Sequence, residues 1–187
     1  QPPNFNMAAD PAVNYGAIGY VIGHEIGHAF DDKGRAFDPY GKLNDWWSAA
    51  DAEHFEQAAA KLVEQYNAFR PLPDMSINGK LTLGENIADL TGITIAYRAY
   101  RASLGGKEAP VIDGLSGDQR FFIGFAQANR ASMREEMLRS MLVSDPHSPA
   151  RYRVLGVLRN FTPFYAAFGV KEGDGMYLPP DERVKIW

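Results

Sequence analysis

His24 and His28 stand four residues apart with Glu25 directly after the first, inside a proline-free apolar stretch from Asn14 to Phe30. A helix turns about 100° per residue, so it sets the two imidazoles about 40° apart on one face. Both can then reach a single metal ion. Glu25 falls within about 60° of His28 on the wheel. It is poorly placed as a third ligand, but well placed beside the water that such a site activates, where a general base belongs. Two histidines and an acid buried here without a metal would be costly to desolvate. The chain has no cysteine, so a zinc ion must take its ligands from histidine and carboxylate.

The third ligand is found by spacing. A histidine six residues after the second is one known solution, but that position is Gly34. The aminopeptidase-type spacing calls for a glutamate at position 47, which is Trp47. The remaining solution is a glutamate on a separate helix, and Gly84-Glu85-Asn86-Ile87-Ala88-Asp89 supplies it. Glu85 and Asp89 would repel each other across one helical turn, in a segment crowded by Ile87, Leu90, Ile93 and Ile95. A divalent cation on Glu85 and an imidazole N–H on Asp89 would resolve that repulsion. His24, His28 and Glu85 are therefore the expected metal ligands. Asp31, three residues after His28, is placed to orient the other histidine, and Asp32 points about 100° further round.

The 187 residues suffice for one domain, expected over 1–187, with 45% apolar and 22% charged residues. A net charge of -4 argues against nucleic acid as a partner. The longest apolar run, Gly16 to Gly23, is too short for a transmembrane segment. The start, Gln1-Pro2-Pro3-Asn4, has no initiator Met and no signal pattern, and reads as an internal point in a longer protein.

The chain reads as mainly helical. A buried helix is expected from about Asn14 to Phe30, where Gly16, Gly19, Gly23 and Gly27 imply close approach of another element. A loop follows to Asn44, then an amphipathic helix over 45–69 capped by Asn44 or Asp45. Ile77-Asn78-Gly79-Lys80-Leu81 carries the Asn-Gly signal of a short β-hairpin. Further helices are expected over 83–104, from Ser116 or Asp118 to Ser144 with a break, from a Ser148 cap to about Asn160, and from Thr162.

Several ordered strings resemble the neprilysin and endothelin-converting enzyme family. They are Asn14-Tyr15-Gly16, Val21 through Asp32, Asp45-Trp46-Trp47, Gly84 through Asp89, Ala96 through Tyr100, His147-Ser148-Pro149 and the terminal Trp187. The likeness runs along nearly the whole chain. It implies a thermolysin-like zincin (gluzincin) catalytic domain with an active-site helix and a second, ligand-bearing helix, holding one zinc per chain. It also implies an endopeptidase that cuts peptide substrates on the amino side of apolar residues, in the periplasm or otherwise outside the cytoplasm. The resemblance makes His147 the stabiliser of the oxyanion and Arg153 the binder of the substrate backbone. With Glu25, and with Asp89 acting through the histidine it orients, these complete the expected catalytic set. Two departures stand out. The family's substrate-binding Asn-Ala-aromatic segment and its large helical domain belong to an N-terminal part missing from this sequence. Asn129 stands where the family usually carries an aromatic residue, in the pocket for the residue after the cut. Two rival readings remain at this stage: a zinc-binding module without turnover, and a zinc hydrolase of other substrates.

Overall fold

A computed structural model describes residues 1–187. The chain is helical, as expected. A short first helix α1 (Pro11–Asn14) runs through a π turn (Tyr15–Gly19) into α2 (Tyr20–Gly27), which closes with a 3-10 turn at His28–Phe30. There follow α3 (Ala49–Asn67), α4 (Leu83–Ser103), α5 (Gly117–Ala128), α6 (Glu135–Ser144), α7 (Ala150–Leu158) and α8 (Thr162–Phe168). The core is shared among Leu62 and Tyr66 of α3, Ile87 and Ile93 of α4, Phe121 and Phe125 of α5, and Val157 of α7. Ile95, by contrast, is partly exposed on α4.

The glycine-rich sequence of α2 has the cause expected for it. A Cβ at Gly23 would lie 2.9 Å from the carbonyl oxygen of Gly92 in α4, and one at Gly92 would lie 2.7 Å from the carbonyl oxygen of Tyr20 and 2.9 Å from the backbone nitrogen of His24. The two helices thus pack backbone against backbone. That contact brings the α4 residues Glu85 and Asp89 under His24.

Three local expectations are corrected. Residues 77–82 form no hairpin. A two-residue hairpin turn of the Asn-Gly kind needs positive φ at its centre, and neither Asn78 nor Gly79 is among the positive-φ residues. Instead Asn78 Oδ1 accepts from the backbone N–H of Leu81 (3.1 Å) and Gly79 N–H donates to Asn67 Oδ1 (2.8 Å), curling the chain off α3 and into α4. Second, α3 starts at Ala49 and is capped by Ser48, whose Oγ accepts from Asp51 N–H at 3.2 Å. Residues before it are held outside the helix by their aromatic anchors: Trp46 Nε1 donates to the Phe37 carbonyl at 2.9 Å and Trp47 packs on Phe55. Third, Ser148 does not cap α7. Its hydroxyl donates instead to Asn86 Oδ1 at 2.9 Å, and Pro149 occupies the cap position.

Candidate metal centre

Three elements converge on one point. α2 and its closing 3-10 turn bring His24 and His28, the first turn of α4 brings Glu85, and the loop before α7 brings His147. His24 and His28 are each oriented from behind by a carboxylate. His24 Nδ1 lies 2.7 Å from Asp89 Oδ1, and His28 Nδ1 lies 2.8 Å from Asp31 Oδ2. With both Nδ1–H groups donating, both Nε2 lone pairs aim forward. Asp31 is itself fixed by backbone N–H donors from Lys33 and Gly34, at 2.8 and 2.6 Å. Asp32 lies aside, with Oδ1 buried and without a partner, and burial raises its pKa.

The forward atoms fit one ion. His24 Nε2 is 3.1 Å from His28 Nε2 and 3.2 Å from Glu85 Oε2, and His28 Nε2 is 3.7 Å from Glu85 Oε1. A tetrahedral zinc with bonds of ~2.0–2.1 Å sets its ligand atoms roughly 3.3–3.4 Å apart. Glu85 Oε2 is buried and has no hydrogen-bond partner, although imidazole nitrogens of His24 and His147 each lie 3.2 Å away. An orphaned carboxylate oxygen facing two imidazole nitrogens fits a cation held among them. The donor set, two imidazoles and a carboxylate with the remaining side open, is that of a catalytic zinc site.

Electrostatics keeps the carboxylates charged. Burial pushes Asp89 up, but the Arg153 guanidinium and His24 outweigh it and hold the carboxyl at about 2. Burial likewise opposes ionisation of Glu85, yet the close imidazole of His24, with those of His147 and His28 beside it, brings its pKa below the usual value. Burial lowers the His24 pKa, but Asp89 and Glu85 together raise it to about 9, so a cation at Nε2 must displace a proton to reach the lone pair.

A cleft of about 180 Å³ opens over this centre, lined by Tyr20, His24, Glu25, Asn129, His147 and Arg153 among others. Glu25 is exposed at its edge. His147 is fixed by Asp145, whose Oδ1 accepts from both its backbone N–H and its Nδ1, each at 2.8 Å. The Ser148–Asn86 bond ties that loop to α4 one residue beyond Glu85. Arg153 forks onto Asp89, with Nε 2.8 Å from Oδ2 and Nη2 2.5 Å from Oδ1. All expected site residues therefore meet in one place. The remaining histidine, His54, is exposed on α3. Sequence reasoning passed over Tyr20 and Asp145. Tyr20 lies four residues before His24, the same spacing that pairs the two histidines, and Asp145 lies two before His147, where a short acid reaches forward to accept from the backbone two residues on.

The sequence model described as peptidase family M13 matches residues 1–184. The chain is 43% identical to membrane metallo-endopeptidase-like 1 of Homo sapiens over 193 residues, covering 100% of this chain and 24% of that protein. It is 40% identical to endothelin-converting enzyme 1 of Cavia porcellus, covering 99% of this chain and 24% of that one. Among solved structures, it resembles Mycobacterium tuberculosis zinc metalloprotease Zmp1 in complex with an inhibitor, with a TM-score of 0.98, 50% identity, and coverage of 100% of this chain and 29% of that one. The chain thus spans about a quarter of the length of the curated relatives it matches.

Proposed function

This chain belongs to peptidase family M13, and from that premise we propose that it carries the catalytic centre of a zinc-dependent endopeptidase of oligopeptides. The observation that carries the reading is the trio His24, His28 and Glu85, with donor atoms within 4.8 Å of one another, under a cleft that also holds Glu25, His147 and Arg153. When bound, zinc supplies Lewis acidity, making a water acidic and polarising a carbonyl. Residues 1–187 act in this reading as the C-terminal catalytic domain of a longer protein that works outside the cytoplasm. No helix of the chain is long and apolar enough to cross a membrane.

The chain's own groups divide the work. Asp89 and Asp31 hold the two imidazoles with Nε2 forward. The Glu25 carboxylate takes a proton from the attacking water and returns it to the leaving amine nitrogen. His147, its ring fixed by Asp145, donates from Nε2 to the oxygen of the former carbonyl as that oxygen gains charge, an effect worth ~3 kcal/mol for one good donor. Arg153 aligns the peptide by donating to a backbone carbonyl. Cleavage on the amino side of apolar residues fits a cleft whose wall includes Val21 and Ala128, while Asn129 makes part of that wall polar.

Glu25→Gln in the full-length protein is expected to keep one zinc per chain by metal analysis and to lose roughly a hundredfold or more in turnover of a quenched-fluorescence peptide. Full activity in a zinc-loaded variant would sink the assignment.

A further inference from the structure

Tyr20 opens α2 and is 3% exposed, yet its side chain contributes to the wall of the cleft. Its hydroxyl donates to Asp89 Oδ1 at 2.5 Å and accepts from Arg153 Nη2 at 3.2 Å. The ring is held edge-on by Phe125, with centroids 4.7 Å apart. An apolar side chain would fill the same volume without placing another polar group in the interior. The hydroxyl must therefore do something that packing does not require.

Arg153 shows what. Its Nε and Nη2 are both committed to Asp89, and Nη2 is also engaged by Tyr20. Nη1 has no hydrogen-bond partner in the protein and is not fully buried, and Arg153 lines the cleft, so Nη1 is the guanidinium nitrogen left free for a ligand. Two bonds to one carboxylate leave the guanidinium able to rock about that carboxylate. A third contact, from a ring wedged against Phe125, removes the hinge. Burial and the adjacent Asp89 push the phenol pKa well up, so it stays a donor.

We propose that Tyr20 is a positioning residue for substrate, locking Arg153 through its hydroxyl so that Nη1 presents to the peptide backbone. This rests on the reading of Arg153 as the peptide-binding arginine. Tyr20 acts on affinity for peptide and leaves the chemical step unchanged.

The test is a double-mutant cycle in the zinc-loaded, full-length protein with Tyr20→Phe, Arg153→Lys and both. Phe keeps the ring against Phe125, and Lys keeps a cation on Asp89 while removing the fork. The probe is a blocked peptide with one central Phe. KM and kcat are read from cleavage, and Kd by calorimetry in a Glu25→Gln background. Tyr20→Phe is expected to raise KM and Kd roughly three- to tenfold, as loss of one hydrogen bond's help would. It should leave kcat within about twofold and zinc at one per chain, and it should add nothing once Arg153 is Lys. If Arg153→Lys raises KM and Tyr20→Phe does not, the inference fails and the Arg153 reading stands. If Arg153→Lys leaves KM and Kd unchanged, the Arg153 reading itself fails, and the inference with it. A fall in kcat and zinc content at unchanged KM assigns Tyr20 to His24 instead and overturns the proposal.

Discussion

Glu85 and Asp89 sit one helical turn apart and are kept charged by different means. Asp89 is fully buried and gathers donors from Arg153, Tyr20 and His24. Glu85 has one oxygen with no donor at all. The first carboxylate is satisfied by the protein, and the second is left for a cation. Asp89→Asn is therefore expected to spare the ligand set and yet weaken zinc binding by ~10–100-fold, because the amide is a poorer acceptor for His24 Nδ1–H and leaves Arg153 without its counter-charge. Competition with a coloured chelator measures this. Unchanged affinity would mean that the protein does not tune His24 through Asp89.

At the scale of elements, the centre depends on how closely α2 and α4 approach. Gly92→Ala puts a methyl against the Tyr20 carbonyl and the His24 backbone, where the neighbours are backbone and cannot turn aside. The expected cost is about 1–3 kcal/mol of stability or more. A loss of zinc should accompany it, because Glu85 moves away from His24 with its helix. Thermal unfolding and metal analysis on the same sample check both, and a variant of native stability with full zinc would refute the packing argument. Those glycines were informative in the sequence because a helix rarely keeps them without a neighbour. The His24, His28 and Glu85 cluster and its two orienting carboxylates were legible for a similar reason: i,i+3 and i,i+4 spacing on a helix translates directly into space. The hairpin was not. Asn78-Gly79 has local turn chemistry, but the choice of turn was made by Asn67 of α3 and by the start of α4, which lie outside the motif. Ser148 misled likewise. A serine before a proline signals a cap, while its actual partner, Asn86, lies 62 residues away in sequence. Tyr20 was hidden because its ring looks like core and only its hydroxyl reaches the site.

For the molecule as a whole, the candidate metal site is also a structural junction. It joins α2, the first turn of α4 and, through His147 beside Glu85, the loop leading to α7. Without the ion, this junction holds a buried carboxylate oxygen without a partner and two Nε2 atoms 3.1 Å apart. An ion that binds only the folded state stabilises it by mass action, by ~2.7 kcal/mol when its free concentration is 100 times its Kd. Zinc removal should therefore lower the unfolding temperature by several degrees, and adding zinc back should restore it. Magnesium should not, since it demands octahedral oxygen ligation and this set offers two imidazoles and one carboxylate. Scanning fluorimetry with chelator, then with each metal, reads the shift in the absence of substrate. An unchanged unfolding temperature in protein shown by analysis to be zinc-free would mean that the helices hold the site together unaided. The orphaned oxygen of Glu85 would then need another explanation.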